Sequence, residues 1–106
     1  MIHIAIFDRA GAFAENKDVA RNIRIKEIIP ELTQGGEVTL DFHKVAAATQ
    51  SFIHALISDI LRKHGANALD RIFFKSCNVT VRKIIEIVVD YMLESLEIEE
   101  EDNHKE

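Results

Sequence analysis

Apolar residues recur along this chain with two different periods, and the alternation between them gives its architecture. Ile2, Ile4 and Ile6 alternate with His3, Ala5 and Phe7, a period of two with both faces largely apolar. That pattern predicts a strand covered on both sides. Asp8, Arg9 and Gly11 mark a turn after it, and Ala12 to Glu15 could add a short extra strand. From Asn16 to about Leu32 the period lengthens, with Val19, Ala20, Ile23, Ile28, Ile29 and Leu32 as the apolar set of a helix. Asn16 or Asp18 caps it, because a short oxygen-bearing side chain accepts from the free amides of a first turn. Pro30 removes a helical hydrogen bond and disfavours the α conformation at Ile29, so a break or kink is expected there.

The short period then returns. Val38, Leu40 and Phe42 alternate with Thr39, Asp41 and His43, and Asp41 belongs near the strand's end because a deeper carboxylate would need a partner. Val45 to Ala48 form a turn of small residues. Phe52, Ile53, Leu56, Ile57, Ile60 and Leu61 make one broad helical stripe, started by Thr49 or Ser51 and closed by Arg62, Lys63, His64 and Gly65. Arg71 to Ser76 is a third strand. Asn78 caps the last helix, whose stripe is Val81, Ile84, Ile85, Val88, Met92, Leu93 and Leu96.

Strand and helix thus alternate three times. The order βαβαβα predicts an α/β fold with a small, mostly parallel sheet of three to four strands, joined by right-handed crossovers and packed by three helices. In such a sheet the residues that follow each strand share one edge. Asp8, Arg9, His43, Lys44, Ser76, Cys77 and Asn78 are therefore expected on a common polar rim.

Composition narrows the function. The chain has 106 residues and a formal charge of −5. Its last ten residues, EIEEEDNHKE, hold six acids and one lysine, leaving twelve acids and twelve bases before them. Residues 1–96 therefore read as one balanced domain, and residues 97–106 as an acidic, disordered tail. Nucleic acid is disfavoured, since no excess of Lys and Arg faces phosphate. The apolar run Ile2 to Phe7 is too short for a membrane span or a secretory segment, and one cysteine, Cys77, suits a reducing cytoplasm. The five histidines lack metal-binding spacing, and no cofactor is expected.

The run Asp41-Phe42-His43-Lys44-Val45, followed by a small loop and Thr49-Gln50-Ser51-Phe52 at a helix start, resembles the STAS-like domain family. These are small bacterial regulatory modules related to anti-sigma factor antagonists. In the antagonists a similar strand ends D-L-x-G-V, and a loop leads to a serine at a helix N-terminus that a partner kinase phosphorylates. The resemblance covers element order from about Ala14 to Leu96. It implies a STAS-like fold and a partner that is a histidine-kinase-like ATPase or an anti-sigma-like protein. Gln50 stands at the position of the antagonists' phosphoacceptor serine, between Thr49 and Ser51. Lys44 stands where the motif has glycine, and His54 where STAS-like relatives often carry an acid.

These residues define the expected site. No set of acid, base and nucleophile converges in the sequence, so the chain reads as a non-enzymatic regulatory interaction module. It would dock a protein through the loop after the second strand and the helix start beyond it, with Lys44, Thr49, Gln50, Ser51, His54 and Arg82 as contact residues. Ser51 and Thr49 are also candidates for phosphorylation, since negative charge is favoured at a helix N-terminus, although either residue also serves simply as a cap. Arg82 lies in a first helical turn, where a cation is disfavoured, and an Arg82–Glu86 ion pair is the local explanation. The alternative is a small nucleotide-binding or phosphoacceptor domain using Asp8 or Asp41. A homodimer paired through the first strand is a third expectation, because a three-stranded sheet has two free edges.

Overall fold

The computed structural model describes the backbone of residues 1–105 and the side chains of residues 1–95. The chain runs β1 (Ile2–Ala5), α1 (Ile6–Ala10), β2 (Phe13–Ala14), α2 (Lys17–Ile23) and α3 (Ile29–Thr33). It continues through β3 (Val38–Asp41), β4 (Ala47–Ala48), α4 (Gln50–Ile57), α5 (Ile60–His64), β5 (Ile72–Lys75) and α6 (Val79–Lys105). The expectation of an acidic tail at 97–106 falls beyond the described side chains.

The three main strands form one sheet in the order β1-β3-β5, and both pairings are parallel. Ile4, Leu40 and Phe74 stand side by side across it, as do Ala5, Asp41 and Lys75. Strands β2 and β4 make a separate parallel pair, which accounts for the extra strand expected near Ala12 to Glu15. The strand order never reverses. Two successive right-handed crossovers that step in the same direction deliver their helices to the same face.

The sheet is accordingly one-sided. Ile4, Val38, Leu40 and Ile72 are buried under the helices, whereas His3, Phe73 and Lys75 on the other face are exposed. The two-sided cover expected for the first strand is therefore wrong. Its run also ends earlier than its apolar residues suggest, because Ile6 and Phe7 turn into α1 instead of extending the strand. Ile6 is buried from the helix, and Phe7 is exposed.

Helix α2 begins as the sequence indicates, with the Asn16 side chain accepting from the amides of Asp18 and Val19. Pro30 does not end the helix. Ile29 keeps helical angles, φ −60° and ψ −47°, and the chain accommodates the proline with a π-helical stretch, Arg24–Ile28, just before it. There the Ile29 amide reaches back five residues to the Arg24 carbonyl. The widened turn takes up one extra residue, so the step of five from Ile23 to Ile28 still returns both side chains to the core.

The helix expected from Thr49 to His64 is two helices. Buried Arg24 donates from Nη1 to the Ala55 carbonyl at 3.0 Å and to the Ser58 hydroxyl, with Asp59 3.6 Å from its other terminal nitrogen. The Ala55 carbonyl is the acceptor that the Asp59 amide would use in an unbroken helix. The chain bends at Ser58, where ψ is −87°, and restarts as α5. A 3₁₀ segment, Ala66–Arg71, then leads into β5.

Candidate functional site

Three in-register parallel strands point their carboxyl ends the same way, so the loops that leave them meet. Asn78 joins two of these loops. Its Oδ1 accepts from the Val81 amide at 2.8 Å, capping α6, and its Nδ2 donates to the carbonyls of Ala46 at 2.9 Å and Val45 at 3.3 Å. Lys44 enters the β3–β4 loop with a positive φ of 71° and holds its ammonium 5.7 Å from the centre of the Phe7 ring, in the segment after β1. The expected common rim exists. Within it Arg9 is engaged by Glu27 through two bonds of 2.5 and 2.7 Å, which raises its pKa.

The loop then passes through β4 into α4. Ala46 and Ala47 both donate backbone bonds to the Ala12 carbonyl, and Thr49 donates to Ala14, so the β2 segment pins the approach to the helix. Thr49 is the N-cap, its hydroxyl accepting from the Phe52 amide at 3.1 Å. That leaves Gln50, Ser51 and His54 exposed on the outer side of α4, above buried Phe52 and Ile53.

Gln50, Ser51, His54 and Ala55 form one wall of an apolar groove of about 430 Å³. Ile87, Val88 and Tyr91 of α6 form the other, and Lys17 of α2 also lines the groove. Ile87 is 50% exposed and Tyr91 64% exposed, although large apolar side chains ordinarily gain by burial. These two were missed in the sequence because they stand off the main stripe of the last helix. Their spacing of four, beside that stripe, is the signal that would have found them.

The other expected contact residues lie apart from this groove. Lys44 sits over Phe7, and Thr49 borders a shallow depression with Phe13, Glu15 and the β4 alanines. Arg82 lies in a separate depression with Cys77, Val79 and Glu86. No Arg82–Glu86 ion pair forms among the described residues. The sequence-predicted set therefore divides into a central trio, Gln50, Ser51 and His54, and three satellites.

Asp41 ends β3 as expected and finds partners there: Oδ1 accepts from the His43 amide and Oδ2 meets His3 Nε2, each at 2.9 Å. The His43 bond is the main reason its pKa falls below the ordinary carboxylate value, with His3 and Lys75 adding to it. Burial raises the Cys77 thiol, which opposes thiolate reactivity at neutral pH. Among the described residues no three His, Cys, Asp or Glu side chains are grouped to hold a metal ion.

A family model described as a STAS-like domain of unknown function (DUF4325) matches residues 23–82, the span from the end of α2 to the first turn of α6. The chain belongs to the STAS-like domain family. Its matched region holds all of the sheet except β1, together with the β3–α4 connection and the Asn78 cap. The mixed α/β fold with parallel strands agrees with this STAS-like assignment. No match was found among curated proteins or among solved structures. The described residues of this STAS-like domain include no helix long and apolar enough to cross a membrane.

Proposed function

We propose that this STAS-like domain is a non-enzymatic, cytoplasmic regulatory module that docks a protein partner in the groove between the start of α4 and the outer face of α6. The observation that carries the reading is the pairing of exposed Ile87 and Tyr91 with Gln50, Ser51 and His54 across one apolar cleft. Aromatic and aliphatic side chains framed by polar ones are the usual anchors of a protein interface. The partner class implied by the family resemblance is a histidine-kinase-like ATPase or an anti-sigma-like protein.

Ser51 gives this site a means of control. It is exposed in the first turn of α4, where the free amides and the helix dipole favour a phosphate, and it faces the groove. Thr49 is the weaker candidate, since its hydroxyl already caps the helix. The phosphoacceptor or nucleotide-binding alternative has less support. The strand order never reverses, so the crevice that nucleotides use in open α/β sheets is not built, and Asp41 is occupied by His3 and the His43 amide.

The test is affinity capture from the native host with the wild type, Ser51→Asp, Tyr91→Ala and, on the opposite face of the sheet, Phe73→Ser. Loss of one discrete partner with the two groove variants, and its retention by Phe73→Ser, supports the reading. Equal capture by all four proteins removes it.

A further inference from the structure

Strand β1 ends the sheet, and its free side follows from one hydrogen bond. The Ile2 amide donates to the Glu37 carbonyl at 2.9 Å, so Ile2 and Ile4 turn their backbone groups toward β3. His3, between them, must turn its N–H and C=O outward. Natural edges are commonly blunted by lysine, proline or a bulge, and Ile-His-Ile-Ala has none of these. Alongside this edge runs a groove of about 460 Å³ whose far wall is Lys26, Glu27, Pro30, Glu31 and Gln34.

We propose that β1 pairs antiparallel with β1 of a second copy of this chain, about a two-fold axis at His3, joining two sheets into one of six strands. The sequence is suited to that symmetry. Ile2-His3-Ile4 reads the same in both directions, so the axis sets His3 opposite His3, exchanging both outward backbone bonds. It also sets Ile2 of each copy beside Ile4 of the other on the helix-covered face, where Ile2 is only half-buried in the single chain.

The groove's charges obey the same symmetry. Glu31 lies at the start of β1, 3.2 Å from the Met1 amino group. Lys26 and Glu27 lie toward its other end, where Glu27 holds Arg9. A two-fold axis at His3 exchanges the two ends and brings Lys26 of each copy, beside a Glu27 already engaged by Arg9, to the end of its mate that holds Glu31 and the Met1 ammonium. An unrelated extended segment would share the backbone bonds but would have no reason to match these charges.

The test is sedimentation velocity over a range of concentrations with the full chain, Lys26→Glu, Glu31→Lys and an equimolar mixture of the two variants. The wild type should approach twice the 12.0 kDa mass of one chain. Each variant alone places like charges at both contacts and should sediment as a monomer, whereas the mixture restores opposite charges at both and should recover the dimer. Hydrogen exchange at the His3 amide should slow as wild-type concentration rises. A monomeric wild type overturns the proposal. So do dimeric single variants, a mixture that stays monomeric, or a His3 amide indifferent to concentration.

Discussion

The Asn78 side chain holds the Ala46 carbonyl at 2.9 Å while its other end caps α6, so one residue fixes the last helix and the loop that leads to α4 relative to each other. Asn78→Ala should lose the cap, about 1 kcal/mol, and two side-chain bonds to the loop at about 0.5–1.5 kcal/mol each. A total of about 2–4 kcal/mol is expected in urea unfolding. Asn78→Asp separates the two roles. It keeps an acceptor for the Val81 amide but loses the donor and sets a carboxylate against two carbonyls. If capping were the whole function, Asn78→Asp would match the wild type; the bridging role requires it to fall close to Asn78→Ala.

Arg24 is the largest local commitment of polar groups in the interior, with its guanidinium on the Ala55 carbonyl, the Ser58 hydroxyl and Asp59. The hydrogen bonds are part-buried, whereas the Asp59 side chain is 42% exposed, so water screens the ion pair more than the bonds. Arg24→Met should therefore cost about 1–3 kcal/mol through the lost hydrogen bonds. Asp59→Asn should cost less than about 1 kcal/mol. Chemical denaturation of both variants checks the order, and a larger loss for Asp59→Asn would show that the ion pair dominates.

Lys44 occupies a backbone position that the antagonist-type motif gives to glycine, and its φ of 71° explains why. A left-handed conformation costs a residue with a Cβ roughly 1–2 kcal/mol. The exposed contact of its ammonium with Phe7 returns about 0.5–1 kcal/mol. Glycine's greater freedom in the unfolded chain takes back a further amount of about 0.5–1 kcal/mol. The strain relieved and the two losses nearly cancel, so Lys44→Gly should stay within about 1 kcal/mol of the wild type. Lys44→Ala keeps the strain and loses the contact, so a melting temperature for Lys44→Ala at or above that of Lys44→Gly would mean that the left-handed backbone carries no strain.

Much of this arrangement is legible in the residues themselves. The switch between periods of two and 3.6 places the three parallel strands, and Asn16, Thr49 and Asn78 are recognisable caps because their oxygens stand just ahead of apolar stripes. What escaped depends on tertiary geometry. Nothing local shows that β1, β3 and β5 step in one direction, yet that order decides that His3 and Phe73 face outward. The bend at Ser58 is set by Arg24, thirty-four residues away, and the stripe from Phe52 to Leu61 passes through it unbroken. Of the residues that line the groove, Gln50, Ser51 and His54 are picked out by the helix start, while Ile87 and Tyr91 emerge only when α6 is laid beside α4.

Asp41 gives the fold a predictable response to acid. Its carboxylate accepts from the His43 amide and meets His3, and both interactions favour the charged form, lowering its pKa below the value it has in the unfolded chain. A carboxyl group shifted in this direction stabilises the folded state above its unfolded pKa, about 3.9, and that contribution disappears as pH falls through the lower folded value. Asp41→Asn removes the charge at every pH. The stability gap between wild type and Asp41→Asn should be full near neutrality, shrink below about pH 4, and level off once Asp41 is protonated in both states. Denaturation midpoints of the two proteins across that range, with the carboxyl titration followed by NMR, give the check. A gap that stays constant into acid would mean that Asp41 holds the end of β3 by shape and neutral hydrogen bonding alone.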